Sequence, residues 1–185
     1  MKTLMQKSRR VARLSLLSVA LLGSTACDKI DDIITPKLPD ATQEGKVTFG
    51  CLVDGKVWLP YTEHTLDRAI EAKYSANSFT LRAERETKDG GYIHLRVFNA
   101  SEIKVGTYSL TNGFAATYDL NTHFATTTPG QGSVTLTKVE PTTREGLGST
   151  LHYTIVSGTF DFTGTDAAGK TITIKDGRFD VLARP

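Results

Sequence analysis

The side chains able to carry chemistry are few in kind. Four histidines, His64, His94, His123 and His152, stand with no two at a metal-ligand spacing, and no HExxH pair occurs. His94 and His152 occupy outward positions of alternating runs, which assigns them to the surface. Glycoside hydrolysis needs two carboxylates flanking one bond. Glu71, Glu84, Glu86, Asp161, Asp166 and Asp180 supply the type, but solvent faces of strands account for most of them. Asp161 and Asp180 each follow an aromatic residue and so point away from its face. Cys51 alternates with Phe49 and Val53, the pattern of a core thiol; a nucleophile would need a base, and His64 is near it only in sequence. The glycines sit in turns rather than leading a strand into a helix, so there is no Walker loop or dinucleotide fingerprint. No catalytic residue, cofactor or metal ligand is expected.

Binding is the remaining chemistry. Trp58, Tyr61, Tyr92, Tyr108, Phe114, Tyr118 and Phe124 could furnish an aromatic platform, although aromatics on strands commonly serve a core. The segment from Gly113 to Gly132, with Asn121 and His123, is the best loop-rich candidate. The expected ligand-binding set is therefore Trp58, Tyr61, Tyr118, Asn121 and His123. A glycan or another ligand is the first expectation for its partner. A structural role beside an outer-membrane protein is the alternative, and a glycan-processing enzyme stands behind both.

These residues need a frame, and the alternation of apolar and polar residues supplies one. VTFGCLVDGKVWLP reads as two strands around Asp54-Gly55, a dipeptide suited to a two-residue hairpin. Phe79, Leu81 and Ala83 share one face, as do Ile93, Leu95 and Val97, and Asp89-Gly90-Gly91 between them implies an antiparallel pair. RAIEAKY is read as a strand near 69–75, with a helical turn near 64–68. Further strands are expected near 104–110, 114–120, 122–128, 133–140, 150–162, 170–175 and 178–183. Asp176-Gly177 predicts a hairpin between the last two. Leu151, Tyr153 and Ile155 alternate out of phase with Phe160 and Phe162, so a bulge or bend at Ser157-Gly158 is expected to bring both sets to one face. The predicted fold is all-β: an antiparallel β-sandwich or partly open β-barrel of about nine to eleven short strands with little helix, one domain over 46–185.

The chain carries 22 basic and 20 acidic residues, a net charge of +2 over 185 positions. Lys2, Lys7, Arg9, Arg10 and Arg13 precede any acidic residue, and the apolar run LSLLSVALL and small residues Gly23 to Ala26 then lead to Cys27. This is the order of a secretory signal, too short in its uncharged span to favour a membrane helix of about 20 residues. Without residues 1–26, 17 basic side chains face 20 acidic ones, a net charge of −3. That balance excludes a basic nucleic-acid protein, and the chain is too poor in cysteine for a disulfide scaffold. The segment resembles a bacterial lipoprotein signal, with Thr25 and Ala26 fitting and Ser24 in place of the usual leucine. The resemblance implies acylation at Cys27 and membrane lipid as a partner. Asp28, Asp31 and Asp32 resemble the surface-export signal of Bacteroidetes lipoproteins, which implies the outer membrane and its outward face, with the periplasmic face as the alternative. Residues 27–45 are read as the lipidated cysteine and a flexible acidic tether; fully extended, Asp28 to Gly45 reaches roughly 60 Å.

The opening TFGCLVDGKVWLP, the central SGTFDF and the closing GKTITIKDGRFDV together resemble a family of Bacteroidetes outer-membrane lipoproteins whose domain has no established function. The resemblance spans about 46–183 and implies an extracytoplasmic β-sandwich-like domain. It supplies no catalytic residue.

Overall fold

Alternating sequence becomes strand throughout. The computed structural model describes residues 36–185 apart from 65–66, 88–89, 100, 110–111, 121–122, 126–130 and 147. Among the described residues eleven strands follow in order: β1 (Thr48–Val53), β2 (Lys56–Trp58), β3 (Ile70–Ser75), β4 (Ser78–Arg85), β5 (Gly91–Phe98), β6 (Gly106–Ser109), β7 (Phe114–Asp119), β8 (His123–Ala125), β9 (Gly132–Gly146), β10 (Ser149–Thr165) and β11 (Thr171–Ala183). No α-helix occurs among the described residues, and no helix there is long and apolar enough to cross a membrane. The turn at Asp54-Gly55 has both residues at positive φ, 47° and 79°, between the paired Val53 and Lys56. That is the type I′ geometry whose twist matches its flanking strands.

The strands form one open, antiparallel sheet in the order β2-β1-β11-β10-β8-β7-β5-β4-β3, with β9 also paired to β10 and β6 to β9. It curls on itself. Phe79 of β4 stacks on Phe179 of β11 with ring centroids 5.7 Å apart, although five ladder steps separate those strands. Phe179 continues to Phe160, and Phe160 to Phe49 and Phe162, so a row of rings fills the interior. The predicted faces hold: Phe79, Leu81, Ala83, Ile93, Leu95 and Val97 are all buried in this core. Where the curled sheet brings its far strand round, Tyr74 N donates to Arg184 O at 2.7 Å and Arg184 N to Ala72 O at 3.0 Å. These bonds set the end of β11 parallel to β3 at one isolated bridge, Lys73 with Arg184.

Three expectations need correction. Asp176-Gly177 is no hairpin, because β11 runs straight through it; Asp176 takes φ 51°, and the register slips by one residue against both β10 and β1. The pair forms a bulge, since the same αL-tolerant chemistry serves either geometry. The phase slip in β10 also resolves differently. A bulge does occur beside Ser157 and Gly158, but the extra residue is Thr137 on β9. Val156, Phe160 and Phe162 share the core, whereas Leu151 is exposed and Ile155 is buried on the opposite face beneath Gly45 and Leu182. The third correction is to the tether. Residues from Leu38 belong to the same compact unit as the strands. A Cβ on Gly50 would lie 2.6 Å from the Pro39 ring, so the bare backbone of β1 is what lets this segment lie down.

Candidate ligand-binding cleft

Asp180 explains how the amino-terminal segment is held. It does point away from the face of Phe179, yet it is fully buried. Its Oδ1 accepts from Gly45 N at 2.8 Å and Ser157 Oγ at 2.8 Å; its Oδ2 accepts from Thr42 Oγ1 at 2.6 Å, Glu44 N at 3.0 Å and Lys46 N at 3.1 Å. Burial alone would raise its pKa, but the bonds from Thr42, Glu44, Ser157 and Lys46 outweigh it and hold the carboxyl at about 2. Val47, the residue after the clamped segment, lines a cleft together with Arg144, which donates to Gly45 O at 3.2 Å.

The cleft lies where β3, the end of β11 and the projecting part of β9 and β10 meet, with a volume of about 720 Å³. Ala72 and Val181 are buried in its floor and Tyr153 is half-buried. Arg68, Lys73, Arg144 and Arg184 line it, all exposed, against Glu71 as the single acidic lining residue. None of the four cations is ion-paired to a carboxylate among the described residues, whereas Arg82, Lys46, Lys104, Lys138 and Lys175 elsewhere are. Two shallower depressions continue it along the arm: one of about 520 Å³ shares Tyr153, and one of about 400 Å³ shares Tyr74, Pro141 and Thr154 with that second depression. Such a site can hold an anion of sugar or headgroup size, since ligand sites commonly enclose about 300–1,000 Å³. Nothing in local sequence marks it, because Arg144 and Arg184 join Arg68 and Lys73 only through the β3 bridge and the arm.

The expected binding residues do not converge there. Trp58 is buried on Phe49, edge to face at 5.9 Å, with Nε1 lacking a hydrogen-bond partner among the described residues. Tyr118 is buried too; its hydroxyl donates to Gly90 O at 3.3 Å and its ring lies by Phe124. Both belong to the core and leave no surface platform. Tyr108, Phe114 and Phe124 are likewise buried, and the half-buried Tyr92 carries Arg82 over its ring at 4.3 Å. Tyr61 is half exposed at a parallel bridge with Arg85, and exposed His123 pairs with Asp119. Asn121 and Cys27 lie outside the described residues. Among the described residues one trio of metal-ligand type, His64, Asp67 and Glu86, does come together, and none of the three lines the cleft.

SGTFDF and GRFDV face each other across β10 and β11, with Gly158 opposite Phe179, Phe160 opposite Gly177 and Ser157 opposite Asp180. Glycine under ring and hydroxyl on carboxylate make these motifs packing devices. A family model described as Domain of unknown function (DUF6252) matches residues 65–182, a span that begins after the β1–β2 hairpin and includes both motifs. No curated protein and no solved structure matches the chain.

Proposed function

Since this chain belongs to the DUF6252 family, a domain of unknown function, we propose from its own surface that it is an extracytoplasmic, membrane-anchored module binding an anionic glycan. The observation that carries this is the cleft at the β3–β11 junction, where four cations without a carboxylate partner among the described residues surround an apolar floor. Their concentration is notable because the chain beyond residue 26 is acidic overall. Charge of one sign in a concave site raises the local concentration of the opposite ion, and arginine forks suit carboxylate and sulfate groups. The half-buried ring of Tyr153 offers a sugar a face beside those charges.

The basic leader, apolar run and small residues before Cys27 support attachment to lipid, and two or more acyl chains make a stable anchor. Asp28, Asp31 and Asp32 support an outward-facing position on the outer membrane. An assembly role would use the unpaired edges of the projecting β9–β10 arm. Glu140, Pro141, Arg144 and Glu145 blunt those edges, which ranks ligand binding first.

An array of uronate-containing, sialylated, sulfated and neutral glycans, probed with the full chain, tests the reading. Acidic members should bind, and the Arg144→Ala/Arg184→Ala pair should weaken them at least about tenfold, given about 1.5–3 kcal/mol per hydrogen bond to a charged group. Equal binding of neutral glycans, or an unchanged double variant, would refute it. For the anchor, palmitate labelling should disappear in Cys27→Ala; undiminished labelling would exclude that site.

A further inference from the structure

We infer that His64, Asp67 and Glu86, none of which lines the cationic cleft, form a divalent transition-metal site. The ligand atoms of the three side chains lie within 4.8 Å of one another. Their juxtaposition is built by the fold, since Glu86 follows β4 and His64 and Asp67 lie before β3. Tyr61 N donates to Glu84 O at 2.9 Å and Glu86 N to Tyr61 O at 2.8 Å, which locks the two segments side by side. Asp67 N donates to His64 O at 3.2 Å, a bond that holds the two residues together.

The surrounding bonds orient the ligands without consuming them. Glu86 Oε2 accepts from Thr62 Oγ1 at 2.7 Å and Glu63 N at 3.1 Å, and Thr62 Oγ1 in turn accepts from His64 N at 3.1 Å. Hydrogen bonds of this kind fix the orientation of a ligating carboxylate.

One nitrogen and two oxygens suit zinc or a similar borderline ion, whereas calcium takes six to eight oxygens. Tetrahedral zinc, with bonds of about 2.0–2.2 Å, separates its ligand atoms by about 3.4 Å. The trio therefore has to close by at most about 1.4 Å, a side-chain rotation that the exposed His64 and Asp67 can make. Two carboxylates and a neutral imidazole cancel the charge of the ion and leave a fourth position for water. Sequence spacing gave no warning of this site, because Glu86 reaches the other two only through the pairing at Tyr61.

The full chain carrying Cys27→Ala, so that no amino-terminal thiol competes, would be stripped with chelator and titrated with ZnCl2 by calorimetry. Bound zinc would be counted by elemental analysis. One ion per chain is expected, with affinity falling at least about tenfold in both His64→Ala and Glu86→Gln and staying within twofold in His152→Ala. Circular dichroism checks that the variants fold. Absence of saturable binding up to about 100 μM zinc, a stoichiometry set by other histidines, or affinities unchanged in either His64→Ala or Glu86→Gln would overturn the site.

Discussion

Replacing Asp180 with asparagine separates its charge from its shape. Aspartate accepts two bonds on one oxygen and three on the other. Asparagine keeps a single accepting oxygen, so its best orientation puts the amide nitrogen where Oδ1 was, facing Gly45 N and Ser157 Oγ. The Ser157 hydroxyl can turn and accept, but Gly45 N cannot and becomes a buried donor with no acceptor, at about 1–3 kcal/mol. The pH dependence gives a second measure. The folded pKa of about 2 lies below the ordinary 3.8, and that displacement is worth about 2 kcal/mol of stability at neutral pH. Because the folded value is the lower one, the contribution is complete above about pH 5 and fades as pH falls from 4 through 2. The two figures overlap, since both draw on the same bonds, and give an expected loss of about 2–4 kcal/mol for Asp180→Asn at pH 7, narrowing by about 1 kcal/mol at pH 3. Urea titrations of both proteins at pH 7, 5 and 3 measure the difference directly. Equal midpoints at pH 7, or a gap the same at pH 5 and pH 3, would refute the reasoning.

Two further outcomes test the core. A Cβ on Gly177 would sit 2.6 Å from three atoms of the Phe160 ring, so Gly177→Ala should cost about 1–3 kcal/mol in denaturation; Gly146→Ala, with nothing nearer than 3.8 Å, should stay within about 0.5 kcal/mol, and a reversed order would discredit the packing account. Burial pushes the Cys51 thiol up to about 12, so in the Cys27→Ala chain a thiol reagent at pH 8 should label nothing until denaturant is added, and rapid labelling of the folded protein would show the thiol to be accessible.

Local chemistry was readable where local rules decide. Asp54-Gly55 specified its turn, and the alternations in β4 and β5 specified which side chains enter the core. Asp176-Gly177 was misread because the dipeptide states only that the backbone can turn left-handed. Whether it reverses the chain or bulges depends on β1 and β10 pairing along both flanks of β11, contacts up to about 130 residues apart in sequence. The alternation through Leu151, Tyr153 and Ile155 was visible too, but not the face it serves, because the cover over Ile155 comes from the segment near Gly45. The aromatic set failed for a related reason: period two places Trp58 and Tyr118 on a face without saying that the sheet curls over it. Both candidate sites arise from junctions, the cleft from the β3–β11 bridge and the trio from the bridge at Tyr61, and neither leaves a short motif.

The Asp180 clamp also has a mechanical side. Thr42, Glu44, Gly45 and Lys46 engage the carboxylate before the chain enters β1 at Thr48. Tension applied upstream of Thr42 therefore loads β11, the third strand in from the edge, before it can peel the β1–β2 hairpin away. Four bonds sharing one load must break together, whereas an edge strand unzips one rung at a time. A domain tethered from that end and pulled by flow or by a bound polymer would yield by a single high-force step, with the carboxylate acting as its strain relief.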